Sequence, residues 1–494
     1  MFGNIFRGGI TFISVSVIAR GLGVDQYGEL AFLLSSFAII RGLLEMGTSS
    51  AFFTFLSQRQ RNIQFVLLYL AFQVFQFSLP LLIVACIFPK EWIDFIWLGS
   101  SKSSLFLGFT AVFLQLQTWL ALVHIGESNR LTERVQVLNV CIAAAHLLLV
   151  IIAWQTIGLS IELVFGLVVL EYLVFLPIAW RVFLVREFES GEWDGWGVLK
   201  EYRIYCMPLI PMTLLSFGSN ILDRWFLQYF GGSKEQAFYS IGLQFSTVCL
   251  LLTTSMLRIF WKEISEALKN DDLDRVQILY KKTCRTFFIS TVVFSGFLIP
   301  WSKDITQVFL GHAYLDGAAV LATMFFYPIH VALNQICITM LMASSKTRLR
   351  SIITFCSTSI SLPISYFVLA TPDALVPGFG LGAVGMAWKV VLLNMILVNL
   401  TSWLISRSYE WKFDWVYQVV GLSTFLFLGW FSFEIINELN AWVPLGLIIK
   451  VSTTLLLYSV LSGMVIWAMP WLICMTREEL KTNISFVLAL NRMK

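Results

Sequence analysis

Apolar stretches of about twenty residues, each closed by a short polar break, recur along the chain from end to end. A helix needs about 20 mostly apolar residues to cross a bilayer. That rule predicts fourteen spanning helices, near 4–20, 29–56, 63–88, 104–125, 135–154, 159–182, 203–230, 238–260, 284–301, 315–342, 351–370, 380–405, 415–436 and 443–468. The predicted fold class is therefore an all-α membrane protein. The 29–56 run is longer than a bilayer needs, so that helix is either tilted or ends in an interfacial turn.

The polar breaks carry an orientation. Alternate breaks hold Arg59 and Arg61, then Arg130 and Arg134, then Arg181, Arg186, Lys200 and Arg203, then a run from Arg258 to Arg285. The series continues with Lys346, Arg348 and Arg350, then Arg407 and Lys412, and ends in a tail with Arg477, Lys481, Arg492 and Lys494. The other breaks hold only Arg20, Lys90, Lys102, Lys234 and Lys303, with Arg224 just below that surface. Lys and Arg mark the cytoplasmic side, so both termini are expected there. Trp92, Trp97, Trp301, Trp411 and Trp415 fall near span ends, where an aromatic belt belongs. The segment 261–283 reads as a short amphipathic helix along the membrane (Trp261, Ile264, Leu268) followed by a turn at Asn270-Asp271-Asp272. The connection 183–202 reads as solvated.

Composition agrees with the pattern. The chain is 58% hydrophobic and 13% charged, against about one-half and one-quarter in a soluble domain. Lipid is the solvent such a chain requires. The eight cysteines are scattered without metal-site spacing and read as packing residues. Arg7 precedes the first apolar run without a small-residue cleavage site after it, so that run reads as a retained span. The sequence holds no P-loop, metal set or nucleophile triad. The chain is read as no enzyme, with no cofactor and no nucleic-acid partner.

Three short stretches echo one another at nearly one offset. Arg20-Gly21-Leu22-Gly23-Val24-Asp25-Gln26-Tyr27-Gly28 is echoed by the stretch from Asp223-Arg224 through Gly231-Gly232-Ser233 to Tyr239. Gly126–Leu131 is echoed by Ala343–Leu349, and Ile157–Ser160 by Phe379–Gly382. A repeat of six spans, entering the membrane twice in the same sense, follows from that order. It implies halves related by an axis along the membrane normal. The expected organisation is an N-terminal bundle 1–186, a cytoplasmic linker 187–202, a C-terminal bundle 203–406, appended spans 407–470 and a cytoplasmic tail 471–494.

Ionisable groups at membrane depth cost about 2.5–3.5 kcal/mol each on insertion scales and mark cavities or partners. Arg41 and Glu45 lie four apart on one helix face, where they can pair. Glu171 lies midway through the sixth span, Asp223 and Arg224 close the seventh, Lys389 lies in the twelfth and Lys450 in the fourteenth. His124, His146 and His330 add polar points, and amides recur at Gln73, Gln76, Gln115, Gln117, Asn139, Asn334, Gln335 and Asn394. Each has a bland reading beside the functional one. Arg41–Glu45 could be a self-neutralised packing pair, Lys450 a snorkelling or lipid-headgroup residue, Asp223-Arg224 an interfacial cap, and the histidines hydrogen-bonded packing groups. Collectively, Arg41 and Lys389 from two halves make an anion site suited to a diphosphate, with Arg224, Lys450, Asn334 and Gln335 as further substrate contacts. Guanidinium supplies a planar fork and ammonium a point charge. Glu45, Glu171 and Asp223 are the candidates to carry a coupling ion.

The Arg20–Gly28 turn, Leu43–Ala51 (LLEMGTSSA), the ILDRWFLQYFG…FYSIGLQ hairpin and the PGFGLGAVGMAWK opening of span twelve resemble Wzx-like polysaccharide/O-antigen flippases of the multidrug/oligosaccharidyl-lipid/polysaccharide (MOP) exporter superfamily. The resemblance spans roughly residues 1–470. It implies two six-helix bundles of MATE-like fold, a cationic cavity opening alternately to each side, and an undecaprenyl-diphosphate-linked oligosaccharide as cargo. It also implies H+ or Na+ as the coupling ion, with membrane lipids, a polysaccharide polymerase and a chain-length regulator as partners. In that pattern Glu45 stands at the acidic position of span two and Asp223-Arg224 at the end of span seven; Arg41 has no assigned counterpart. A peptidoglycan-precursor or teichoic-acid flippase, and a multidrug or ion antiporter, stay open as alternatives. A membrane polymerase or glycosyltransferase fits least. Its catalysis needs a large outer loop or convergent carboxylates, and Glu91, Asp94, Asp304 and Asp316 show no convergence.

Overall fold

The computed structural model describes residues 2–59, 61–184, 194–344, 346–442, 444 and 446–479. The charges read above at Arg186, Lys481, Arg492 and Lys494 lie outside these. Among the described residues every regular element is helical. α1 (Phe2–Glu45) carries two spans on either side of a break at Gly23, where φ is 76° and ψ 174°. After Glu45, Met46 and Gly47 take positive φ and α2 (Thr48–Gln58) begins. The long second run thus resolves into a span and a separate short helix. α3 (Ile63–Leu82) starts at an Asn62 cap and passes Pro80 into a π turn at Ile83–Ile87.

α4 (Lys90–Trp97) is a short helix exposing Trp92 and Phe95. α5 (Lys102–Phe113) and α6 (Trp119–Ser128) form one span around a second π turn, Leu114–Thr118. α7 (Thr132–Thr156) and α8 (Ile161–Phe183) are straightforward spans, the latter capped by Ser160. α9 (Gly195–Cys206) is a helix within the stretch read as a solvated connection. Pro208 and Pro211 then delay the seventh span, so it starts with α10 (Ile210–Thr247) rather than at 203. α10 again holds two spans, divided at Gly232 with φ 75° and ψ −177°.

α11 (Leu251–Lys269) ends at the expected turn, where Asp271 has φ 55° and the Asp272 side chain accepts from Arg275 N. α12 (Leu273–Leu298) starts well before 284, because Lys281, Lys282 and Arg285 lie on a helix that the apolar rule cut short. α13 (Ser302–Leu310) continues α12 at a 71° bend. α14 (Ala318–Met324), α15 (Tyr327–Ala343), α16 (Thr347–Leu369), α17 (Gly382–Ser408), α18 (Val416–Trp442) and α19 (Leu447–Ala468) complete the chain.

Among the described residues eleven helical stretches are long and apolar enough to cross a membrane. The bent α12–α13 pair, taken as one span, makes twelve, and two of the stretches are broken internally at Gly23 and Gly232. The chain is a multi-pass membrane protein. It forms two compact units: unit 1 is 1–240 with 309–313 and 358–383, and unit 2 is 241–308, 314–357 and 384–494. In unit 2, Phe288, Ile336 and Phe425 are wholly buried in one core. α18 docks on α12 where a Cβ on Gly429 would lie 1.9 Å from the Gly296 carbonyl oxygen, and Tyr458 of α19 donates to Val293 O at 2.9 Å. Small residues that let helix backbones touch do in lipid what greasy side chains do in water.

Candidate functional site

Within unit 1, both halves of α1 together with α5, α6, α7 and α8 enclose a cavity of about 600 Å³. Its polar wall includes Arg7, Arg41, Gln115, Asn139, His146 and Glu171. Tyr27, Trp119 and Tyr172 supply aromatic surface. A polar lining this rich inside a span bundle is costly unless it faces water or a ligand.

The π turn Leu114–Thr118 explains part of that wall. One extra residue in a turn rotates the register, and such turns concentrate at functional sites. Here Gln115 faces the cavity, while buried Gln117 accepts from Arg41 Nη1 at 2.8 Å. An amide network backs the contact: Gln73 Nε2 donates to Gln117 O at 3.4 Å, and Gln76 Nε2 to Leu44 O at 2.5 Å. Arg41 Nε is buried with no hydrogen-bond partner. An unmet buried donor costs about 1–3 kcal/mol.

Across the cavity, His146 Nδ1 lies 2.9 and 3.1 Å from the two Glu171 carboxylate oxygens. Glu171 is only 4% exposed. The ring nitrogen and the carboxylate thus satisfy one another inside the bundle. On the same α7 helix, Asn139 Oδ1 accepts from Trp119 Nε1 at 3.0 Å and fixes the ring in the wall.

Other sequence candidates fall elsewhere. Glu45 does not bond Arg41: its Oε1 accepts from Ser49 N at 2.9 Å, capping α2 across the break. Ser49 Oγ in turn meets His124 Nε2 at 3.1 Å. Asp223 and Arg224 sit two turns before the break in α10, rather than at its end. Asp223 Oδ1 accepts from Ser365 Oγ. Arg224 Nη1 donates to Ser240 Oγ at 3.0 Å and its guanidinium lies over Tyr239 at 4.9 Å, so it clasps the two arms of the hairpin. In unit 2, Lys389 is 5% exposed on α17, and Asn334 and Gln335 are half-buried on α15. Lys450 Nζ donates to Asn437 Oδ1 at 3.0 Å and sits over Trp301 and Phe433 at 5.4 and 5.1 Å.

The structure therefore brings Arg41 and Glu171 to one chamber and adds Arg7 and His146. Arg7, an N-terminal charge, and His146, a polar point on an apolar span, join the site only in the folded chain. The signal that could have found the pair is a histidine and a glutamate each alone on an otherwise apolar span.

The chamber lies inside a bundle of membrane-length helices. Among solved structures, the chain is similar to the lipid II flippase MurJ in an inward closed conformation, with TM-score 0.67, 14% identity, and coverage of 94% of this chain and 98% of that one. It is similar to an inward-facing multidrug resistance MATE-family transporter of the MOP superfamily, with TM-score 0.60, 16% identity, and coverage of 81% and 94%. It is also similar to a MOP-superfamily transporter from Pyrococcus furiosus, with TM-score 0.52, 13% identity, and coverage of 83% and 94%. No protein-family model matches the chain, and no curated protein matches it. The fold is that of MOP-superfamily transporters.

Proposed function

We propose that this chain is a flippase that moves an undecaprenyl-diphosphate-linked oligosaccharide from the inner to the outer leaflet of a bacterial inner membrane. It works by alternating access of a cationic cavity, and both termini are cytoplasmic. The observation that carries this reading is Arg41, held by Gln117 at 2.8 Å yet with Nε unbonded in the wall of a 600 Å³ chamber. Arg7 adds a second cation, and the aromatic rings and amides suit sugars. The diphosphate docks on guanidinium while the polyprenyl tail stays in lipid. Lys389, Asn334, Gln335, Arg224 and Lys450 extend the proposed substrate set. The His146–Glu171 pair carries the coupling proton, in preference to Glu45 and Asp223, whose carboxylates already serve as a helix cap and a serine acceptor. An H+ gradient is thus favoured over Na+.

A second reading, a peptidoglycan-precursor flippase, draws support from one comparison. The likeness to MurJ reaches 94% of this chain, against 81% for the MATE transporter. A lipid-linked cargo is favoured over a drug on the same ground.

The test is binding of a short-chain polyprenyl-diphosphate oligosaccharide to the full chain in nanodiscs. Loss of a charge-assisted hydrogen bond costs roughly 1.5–3 kcal/mol, so Arg41→Ala weakens binding about 10- to 150-fold. Arg41→Lys keeps the charge, loses the fork and falls between. Unaltered affinity in Arg41→Ala refutes the anion site. Deletion in the native cell separates the two readings, because the glycan that accumulates on the inner leaflet identifies the cargo.

A further inference from the structure

α9 has two faces of opposite character. On one, Val198 and Cys206 are buried, and Tyr202 and Tyr205 meet the Phe55 ring edge-on at 5.4 and 5.7 Å. Glu201 lies on that side too, and its two oxygens accept from Arg59 at 2.6 Å and Arg61 at 2.7 Å. Arg61 is itself packed over Phe65 at 4.9 Å. The helix is thus pinned to the end of α2 by a forked ion pair and an aromatic cluster. Its start is fixed as well, because the Asp194 side chain accepts from Gly197 N at 2.9 Å.

The other face is apolar and exposed. Trp196 is 84% exposed, Leu199 48%, Ile204 64% and Met207 65%. These positions recur at steps of three, five and three residues and share one side of a 3.6-residue helix. Lys200 and Arg203 are exposed on the same side. Four large apolar side chains flanked by two cations, with no acidic residue among them, do not belong in water. The chain then runs through one short turn, Met207–Leu209, directly into the spanning helix α10. α9 therefore lies at the bilayer boundary, where its rings and aliphatic chains can enter the acyl region while lysine and arginine reach the headgroups.

We infer that α9 is a docking surface for the anionic phospholipid headgroups of the bilayer, with Trp196, Leu199, Ile204 and Met207 inserted and Lys200 and Arg203 on phosphate. The charge argument selects the occupant: the exposed face is basic, while the Asp194 carboxylate caps the helix start at Gly197 N and Glu201 is turned away and occupied by Arg59 and Arg61. The inference does not depend on what is transported.

The test is amide hydrogen exchange on the full chain in nanodiscs of phosphatidylcholine alone and of phosphatidylcholine with phosphatidylglycerol. Near an anionic surface each Lys or Arg favours the bound state by roughly fivefold. The α9 peptides should exchange about 25-fold more slowly with phosphatidylglycerol present. Lys200→Gln with Arg203→Gln should abolish that difference while exchange in the span interiors stays unchanged. Trp196→Ser with Ile204→Ser should speed α9 exchange in both lipids. Equal α9 exchange of the unaltered protein in the two lipids overturns the proposal, and this arm needs no variant to fold. So does a lipid dependence that survives the Lys200/Arg203 change. Protection that follows protein concentration instead, with a dimer in light scattering, assigns the face to a second copy and also overturns it.

Discussion

Gly28 offers the sharpest mechanical test in unit 1. A Cβ built on Gly28 would lie 1.8 Å from the Ser233 carbonyl oxygen and 2.6 Å from the carbonyl carbon. Gly28 follows the break at Gly23, and Ser233 follows the break at Gly232, so this is where two hairpins touch backbone to backbone. Ordinary contact begins near 3.4 Å, so a methyl group would force the backbones apart by about 1.6 Å (3.4 − 1.8). Neither side can yield by rotating a side chain. Overpacking of this kind costs typically 1–3 kcal/mol, and the absence of a rotamer escape puts Gly28→Ala at the upper end. A cost of about 3 kcal/mol shifts the equilibrium between touching and parted hairpins roughly 150-fold. Gln236, close to Ser233 in sequence, is 0% exposed and reports on the contact. A Gln236→Cys variant is therefore slow to react with a membrane-impermeant maleimide, read by peptide mass spectrometry. Adding Gly28→Ala should raise the labelling rate by up to that factor. Labelling that stays slow in the double variant would show that the touching hairpins are no barrier, and the reasoning would fail.

The other predictions concern the chamber and the packing of α18. Glu171→Gln keeps a hydrogen bond to His146 but removes the proposed coupling carboxylate, so gradient-driven transport in proteoliposomes should be lost while diphosphate binding is retained; transport that still follows the proton gradient would remove Glu171 from the coupling role. Gly429→Val drives a side chain into the Gly296 backbone, where even a Cβ would lie 1.9 Å from the carbonyl oxygen. It should cost at least ~2 kcal/mol and lower the thermal midpoint in detergent; an unchanged midpoint would mean α18 is not held by that approach.

The legible part of the fold is the part lipid writes locally. A span declares itself within twenty residues, because each segment must satisfy its own backbone in hydrocarbon. The breaks at Gly23 and Gly232 were visible for the same reason, as polar turns inside apolar runs. The chamber was only half visible. Arg41 and Glu171 stood out as charges at membrane depth, but their partners Gln117 and His146 lie 76 and 25 positions away, beyond any local periodicity. The expected Arg41–Glu45 pair had the right spacing, yet the helix ends at Glu45, and a helix N-terminus two residues on is the stronger claimant for its carboxylate. The π turn that aims Gln115 and Gln117 leaves no mark in a hydropathy pattern. α9 was hidden by its own charges: Lys200, Glu201 and Arg203 made a twelve-residue amphipathic helix look like a solvated connection.

The echo between the two hairpins has a physical cause that separates scaffold from chemistry. Gly23 and Gly232 share φ near 75° with ψ near 180°, at 76° and 174° and at 75° and −177°. That region is essentially closed to residues with a Cβ, and strain there costs of order 1–3 kcal/mol. Tyr27 and Tyr239, four and seven residues beyond these glycines, are both buried, one helical turn apart along the same face. What the two stretches have in common is therefore what a tight break between two spans demands: a glycine in a conformation only glycine tolerates, then an aromatic that packs the return helix. Arg41, His146 and Glu171 belong to no such echo. Matching hairpins thus account for how the spans are turned, and the residues that recur nowhere else in the chain are the ones on which the proposed transport depends.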